Sequence, residues 1–301
     1  MKYPGVFRTV FRYFPLKVNI GGRSKTIVLK LFDKLFDHTV SKQTINLDGQ
    51  LLSLDISQPS ERLLYYVAYN FFEHYRRSDL YFVMSEVFKE HSGLYIDIGS
   101  NLGIYAYFAK KFGAKVLLFE PEPNHFAFLV RNKHIFDKVS SYALGDSCKK
   151  AEFYVASNNP GGSSLVMSSK GWENSGYDHT TQVNVTTFDE FFKTMPLDFG
   201  QVRLIKIDVE GGEYATLIGM RSYLTRDDSA IIWCEVRGSD SDRGVNNYID
   251  IIRYMEQFDY QAFTVENKEL SPFNVATSVP SSVFDLLFMV ISRHEGYFSS
   301  K

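Results

Sequence analysis

The segment Leu94-Tyr95-Ile96-Asp97-Ile98-Gly99-Ser100-Asn101-Leu102-Gly103 (LYIDIGSNLG, residues 94–103) decides how this chain is read. LYIDI is a short apolar run of strand length. Two glycines four residues apart then make a turn, and GIYAYFAKKF (103–112) continues with helical spacing. A strand, a glycine turn and a helix in that order form the unit that cradles ligands at the carboxyl end of a parallel sheet.

Strand–helix alternation continues outward from this unit. KVLLFE (115–120) reads as a second strand, followed by a helix opened by Pro121 and Pro123 and running to about Asp137. VSSYAL (139–144) reads as a third strand. After an insertion come RLIKIDV (203–209), a helix over about 212–224, AIIWCEV (230–236) and a helix over about 245–258. YQAFTV and FDLLFMVIS follow as final strands. Runs that are apolar throughout are buried on both faces, as in a parallel sheet between helices. The last two strands have no helix between them and are expected to pair antiparallel at one edge. The insertion holds strand-like EFYVA (152–156), a Gly/Ser/Asn-rich loop (157–180) and strand-like QVNVTT (182–187). The expected fold is therefore α/β: a Rossmann-like, mostly parallel sheet with an antiparallel edge strand and helices on both faces.

Upstream, residues 18–57 read as short strands and turns: KTIVLKL, then TINLDGQLLSLDIS with a turn at Asp48-Gly49. Ser60 to Glu90 reads as helical, with Ser60 as a cap and a break between Phe72 and Leu80. Residues 1–92 are taken as a small α+β extension, for substrate recognition or oligomerisation, and 93–301 as the main domain.

Apolar residues make up 45% of the 301 and charged residues 23%, enough for a sizeable core and against disorder. A net charge of -2 gives no general attraction to nucleic acid or anionic membrane. The first forty residues are locally basic, which reads as a solvated arm. Cys148 and Cys234 form no metal-ligand spacing or disulfide framework, which fits a reducing compartment. Pro4 and Pro15 break the aromatic N-terminus, leaving no run long enough for a signal peptide or membrane helix. A cytoplasmic protein is expected, with room for a homo-oligomer.

The turn is the expected cofactor site. Gly99 suits a tight turn, Gly103 a close backbone approach, and Asn101 a left-handed conformation with an amide to offer. Ser100 lies between them. Glycine turns also serve dinucleotide enzymes, so charge has to discriminate. Asp97 enters the turn where a pyrophosphate would sit, and two anions there repel. Glu120, at the end of the next strand with Pro121 beside it, is placed to accept from ribose hydroxyls. Together they favour S-adenosyl-L-methionine, which carries a ribose and positive charge but no phosphate. Leu144 and Asp146, after the third strand, are expected beside the adenine; a plain turn explains them equally well.

IKIDVEGGE (205–213), read with IDIGSNLG, FEPEPNHF, ALGD, the GGSSL of 161–165 and WCEVRG (233–238), resembles the FkbM family of methyltransferases over roughly residues 93–240. The resemblance implies a class I methyltransferase fold, S-adenosyl-L-methionine as donor, and O-methylation of a hydroxyl on a sugar, glycan or natural product.

Methyl transfer to an alcohol needs a base for its proton. Asp208, at the tip of the fourth strand, is the first candidate for base or hydroxyl orienter, followed by Glu210 and by Glu235 on the fifth strand. Lys206, two residues before Asp208, shares its strand face and is suited to pair with it. Glu213 reads as a first-turn helix acid. Three converging carboxylates also suit a divalent cation, but the sequence carries no dedicated metal signature and none is expected. Asn159, Gly162, Ser163 and Ser164 are read as an acceptor-binding lid, a flexible surface loop being the plainer explanation. His125 and His179 are further candidate bases, although isolated histidines are more often surface residues. The competing functions are an NAD-dependent sugar-modifying enzyme and a non-catalytic binding module; the missing basic stripe speaks against a nucleic-acid substrate.

Overall fold

A computed structural model of the chain describes residues 41–47, 49–65, 75–157, 159, 161–167, 176–194, 200–238, 248–275 and 283–298. The expected strand at 25–31, the basic arm, Asp48 and the middle of the first helical stretch lie outside the described residues.

The chain enters through an antiparallel hairpin, β1 (Lys42–Leu47) and β2 (Gln50–Asp55), closed as expected at Gly49 (φ 90°). Helical backbone runs over 59–65, so Ser60 lies inside the first turn rather than capping it. Its hydroxyl is used elsewhere, on His125 (2.8 Å). The expected break is real: α1 (Asp79–Phe88) starts afresh from Ser78, whose side chain accepts from the Tyr81 N–H.

The central sheet is built from β3 (Leu94–Ile98), β4 (Lys115–Phe119), β5 (Lys138–Ser140), β9 (Val202–Ile207), β10 (Ile231–Arg237), β11 (Gln261–Glu266), β12 (Glu269–Pro272) and β13 (Val283–Met289). Its order is β12-β11-β13-β10-β9-β3-β4-β5. The strands from β5 to β10 pair parallel, and β13 runs antiparallel to both β10 and β11. The antiparallel end is thus present, with β13 slotted between β10 and β11 and the unexpected β12 forming the outermost strand. Strand order reverses between β3 and β9, which is where ligands bind in such sheets. All five residues of β3 are buried, because α2 (Ile104–Lys111) with α1 covers one face and α5 (Glu213–Ile218), α6 (Arg221–Leu224) and α7 (Tyr248–Glu256) cover the other.

Three boundaries differ from expectation. The stretch 139–144 is two strands: β5 ends the central sheet, and β6 (Ala143–Leu144) leaves it to pair with β8 (His179–Thr186) beside β7 (Lys149–Val155). The helix after Pro121 is α3 (Pro123–Arg131), capped by Glu122, which accepts from the His125 N–H at 2.7 Å. It stops at Asn132, whose side chain bonds both backbone groups of Ser53 (2.8 and 3.0 Å) and so ties the hairpin to the domain. The helix expected over 212–224 breaks at Gly219, where a Cβ would lie 2.1 Å from the Gly145 carbonyl oxygen. The short α4 (Phe188–Lys193) was not expected; Thr187 caps it. No helix among the described residues is long and apolar enough to cross a membrane.

Candidate active site

A cavity of about 570 Å³ opens over the carboxyl ends of β3, β4, β9 and β10. Such volumes are ordinary for small-molecule sites.

The donor-side turn folds as its residues dictate. Gly99 (φ 79°) and Asn101 (φ 51°) take left-handed conformations. A Cβ on Gly99 would sit 1.9 Å from the Asp208 carbonyl oxygen, so only glycine lets β3 and β9 approach so closely. Gly99 and Ser100 both donate to the Phe119 carbonyl (3.0 Å each). Glu120 then locks the turn: one carboxyl oxygen accepts from the Asn101 N–H (2.6 Å), the other from the Glu122 N–H (2.9 Å). Burial pushes the Glu120 carboxyl up to about 8, against the pull of those two N–H groups.

Gly99, Ser100, Asn101, Glu120, Pro121, Leu144 and Asp146 all line the cavity. Ser100 is 6% exposed, and its hydroxyl has no hydrogen-bond partner among the described residues. A buried, unsatisfied hydroxyl on a cavity wall calls for a polar ligand. Asp146 is exposed, and hydrogen bonds from Ser147 hold its carboxyl below its ordinary value.

Two expected cofactor contacts face elsewhere. Asp97 is 1% exposed, beneath the turn, with its Oδ1 3.5 Å from the Lys206 ammonium. Burial raises its carboxyl, and Lys206 opposes that. Its charge is answered by Lys206, and Asp97 is not among the residues that line the cavity. Gly103 packs inward as well: a Cβ there would meet Phe136, Leu118 and Leu129 at 2.8–3.0 Å, so this glycine serves the fit of helix on sheet.

On the acceptor side, Asp208 leaves β9 at the sheet's edge with Lys206 3.0 Å from its Oδ2. Lys206 is 4% exposed, with its ammonium 5.5 Å from the centre of the Tyr105 ring. Burial alone would lower it, but Asp208 and Asp97 outweigh burial and hold it protonated. Glu210 takes an uncommon left-handed backbone (φ 61°) and turns its carboxylate to Arg237 (2.7 Å). Arg237 also reaches Glu235 (3.4 Å). Burial, then the neighbouring Asp208 and Glu210, push Glu235 up to about 9. Glu213 holds the loop from beneath, accepting from the N–H groups of Val209 (3.1 Å) and Gly211 (2.9 Å). Carboxylate oxygens of Asp208, Glu210 and Glu235 lie within 4.8 Å of one another, a spacing that also suits a cation. Lys206 and Arg237 already occupy that neighbourhood as counter-charges.

The lid residues divide. Ser163 lines the cavity and its hydroxyl accepts from the Ala156 N–H (3.0 Å). Asn159 and Gly162 form a local turn closed by a 2.8 Å backbone bond, off the cavity wall. Ser164 is fully buried and donates to the Glu210 carbonyl (2.8 Å). His179 is exposed and pairs with Asp178. His125 is not a surface residue. It is 8% exposed on the cavity wall, bonded to Ser60 and 4.0 Å from Glu120. Burial lowers its imidazole.

Sequence reasoning passed over Arg237, Tyr105, and the upstream Ser60, Leu63, Leu64 and Tyr75, all but Arg237 lining the cavity. Arg237 carried a signal, since it stands two residues after Glu235 just as Asp208 stands two after Lys206. The upstream residues carried none, because long-range packing brings them here.

A family model described as Methyltransferase FkbM domain matches residues 97–262, more than half of the chain. The chain belongs to the FkbM methyltransferase-domain family. A curated relative of this FkbM chain, Methyltransferase 1 of Beauveria bassiana (strain ARSEF 2860), is 29% identical over 145 residues. That match covers 42% of this chain and 57% of the relative, so the chain spans little more than half the relative's length. Among solved structures, a precorrin-6y C5,15-methyltransferase from Geobacter metallireducens GS-15 aligns over 69% of this chain and 84% of its own, at 10% identity and TM-score 0.36. A TehB-like SAM-dependent methyltransferase from Corynebacterium glutamicum ATCC 13032 Kitasato aligns over 73% and 96%, at 12% identity and TM-score 0.36. The FkbM assignment rests on the family model. S-adenosyl-L-methionine is the donor that goes with this domain, and the orphaned Ser100 hydroxyl, the left-handed Asn101 and the buried Glu120 fit its amino-acid and ribose ends.

Proposed function

We propose that this protein transfers a methyl group from S-adenosyl-L-methionine to a hydroxyl of a sugar, glycan or natural-product acceptor. One observation carries the reading: Asp208, paired at 3.0 Å with a buried lysine, opens into the same cavity as the donor turn. Lys206 occupies one oxygen of Asp208 and leaves the other for an acceptor proton.

The donor, when bound, supplies a methyl carbon activated by its sulfonium. Asp208 accepts the proton of the attacking hydroxyl, and Lys206 stabilises the carboxylate and its position. Glu235, protonated at neutral pH, donates a hydrogen bond to a second acceptor oxygen. Arg237, paired with Glu210 at 2.7 Å and 3.4 Å from Glu235, supplies positive charge beside these acids. Tyr75 and Tyr105, edge to face with centroids 4.8 Å apart, wall this end of the cavity. Their faces suit the C–H side of a ring, while the carboxyls suit its hydroxyls. Five acidic residues line the cavity, Glu120, Asp146, Asp208, Glu210 and Glu235, against two lysines, Lys149 and Lys206, a balance that disfavours a polyanionic acceptor such as nucleic acid. Ser60, Leu63, Leu64 and Tyr75 of the upstream extension also line the cavity, which supports a part for it in substrate recognition beside the 93–301 domain.

Labelled S-adenosyl-L-methionine incubated with a panel of glycans and hydroxylated small molecules tests this. Transfer to at least one hydroxyl is expected. Asp208→Asn should lower kcat by about 10²–10⁴-fold, the usual worth of a positioned base, with S-adenosylhomocysteine affinity within threefold. Donor binding by the wild type, with transfer only to nitrogen or carbon acceptors, would overturn the hydroxyl assignment.

A further inference from the structure

We propose that Ser164 is a positioning residue: it holds the left-handed backbone of Glu210 and couples the donor turn to the acceptor acids. The inference rests on the reading above, in which Glu210 belongs to the acceptor end.

Ser164 is 0% exposed, so its hydroxyl faces no ligand. Two backbone bonds with Tyr154 (2.8 and 2.9 Å) pin it to β7. The hydroxyl is engaged on both counts: it donates to the Glu210 carbonyl at 2.8 Å and accepts from the Val166 N–H at 2.9 Å. Glu210 is a non-glycine residue at φ 61°, followed by Gly211 at φ 110°. A backbone of that kind persists where its surroundings over-determine it. Here two side chains do so from opposite sides. Glu213 takes the N–H groups of Val209 and Gly211 from within the domain, and Ser164 takes the intervening carbonyl from the inserted loop. With the carbonyl directed to Ser164, the Glu210 side chain points the other way, to Arg237.

Three residues earlier, the same loop stands close to the donor turn without a bond to it. A Cβ built on Gly161 would lie 3.7 Å from the Asn101 side-chain nitrogen, and Gly161 and Ser163 line the cavity. The segment 161–164 therefore bears on the donor turn at one end and on Glu210 at the other. A ligand seated in the cavity between Asn101 and Gly161, which both line it, restrains the loop, and through Ser164 it restrains Glu210. Small errors in aim at a reacting centre cost heavily in rate, so the effect falls on turnover more than on donor affinity.

The test uses the full chain as wild type, Ser164→Ala, Ser164→Cys and Ser164→Thr. Hydrogen–deuterium exchange is followed over residues 207–213 with and without saturating S-adenosylhomocysteine, whose affinity is measured by calorimetry. In the wild type the ligand should slow exchange in this segment. In Ser164→Ala the free segment should exchange at least tenfold faster and lose the ligand-induced slowing, with affinity within threefold. Turnover should show kcat lowered at least tenfold at an unchanged donor KM, and Ser164→Thr, which keeps the hydroxyl, should restore both. If the alanine variant does not fold, Ser164→Cys, a weak donor of similar volume, carries the same comparison. Wild-type-like ligand slowing in the folded Ala or Cys variant overturns the proposal, as does a rise confined to acceptor KM, which would make Ser164 an acceptor contact. A wild type that fails to bind S-adenosylhomocysteine overturns the functional reading itself.

Discussion

Replacing Lys206 with Met tests the electrostatic core of the site most directly. The ammonium serves two carboxylates of unequal standing. Asp208 is 32% exposed at its side chain, whereas Asp97 is 1% exposed and, among the described residues, is paired with one cation, Lys206. At 3.5 Å and an effective dielectric constant of about 20, the Asp97–Lys206 attraction is roughly 5 kcal/mol. Removing one partner of a buried pair typically costs ~3–5 kcal/mol, because the other is left uncompensated. We expect Lys206→Met to lose stability on that order near neutral pH, with Asp97 carrying most of it.

The pH dependence follows from the sign. Burial already raises the Asp97 carboxyl above 3.8, and losing Lys206 raises it further. A carboxyl raised on folding contributes stability that is fully present below its unfolded value and lost as pH rises through the folded one. The deficit of Lys206→Met should therefore be larger at pH 8 than at pH 5. Adding Asp97→Asn should recover most of it, since the amide needs no counter-charge. Urea unfolding of wild type, both single variants and the double variant at pH 5 and pH 8 measures every term. A Lys206→Met deficit under about 1 kcal/mol, or a double variant no more stable than Lys206→Met, would refute the reasoning.

Two further outcomes follow from the geometry. Gly99→Ala drives a Cβ to 1.9 Å from the Asp208 carbonyl at a φ of 79°; unfolding should show a loss on the order of 3 kcal/mol, with donor binding abolished, and a variant that binds S-adenosylhomocysteine normally would contradict the turn's role. Glu235, raised to about 9 by burial, Asp208 and Glu210, contributes stability that is lost as pH rises from its ordinary 4.5 through that value; wild-type stability and turnover should fall towards pH 9, while Glu235→Gln should flatten both profiles and keep kcat within about tenfold.

The sheet was legible because burial on two faces leaves a plain mark: LYIDI, KVLLF and RLIKI carry no alternation, and a helix pattern follows each. VSSYAL was not separable into β5 and β6, because six residues of mixed polarity say nothing about which sheet each half joins. Within the site, spacing along the chain placed residues at the right strand ends but did not say which side of a turn each faces. Asp97, Gly103 and Ser164 all stand beside the cavity in sequence and point away from it in space. Gly103 is required by Phe136, Leu118 and Leu129, contacts that no local pattern reveals.

The wall formed by Ser60, Leu63, Leu64 and Tyr75 lies outside the family-matched residues 97–262. It is held on by specific ties: Ser60 to His125, the Asn132 side chain to Ser53, the buried Glu61 to Arg131, and the Tyr107 hydroxyl to the Leu47 carbonyl (2.9 Å). Two of those ties, through His125 and Arg131, land on the helix that begins beside Glu120. The donor carboxyl and the upstream wall therefore share one support, while Tyr75 extends the same wall to Tyr105 at the acceptor end. On the proposed function, the family core carries the transfer chemistry and the upstream wall bounds the space for an acceptor. Under the proposed function, substitutions at Leu63, Leu64 and Tyr75 are expected to change acceptor choice while Asp208, Lys206 and the donor turn stay as they are.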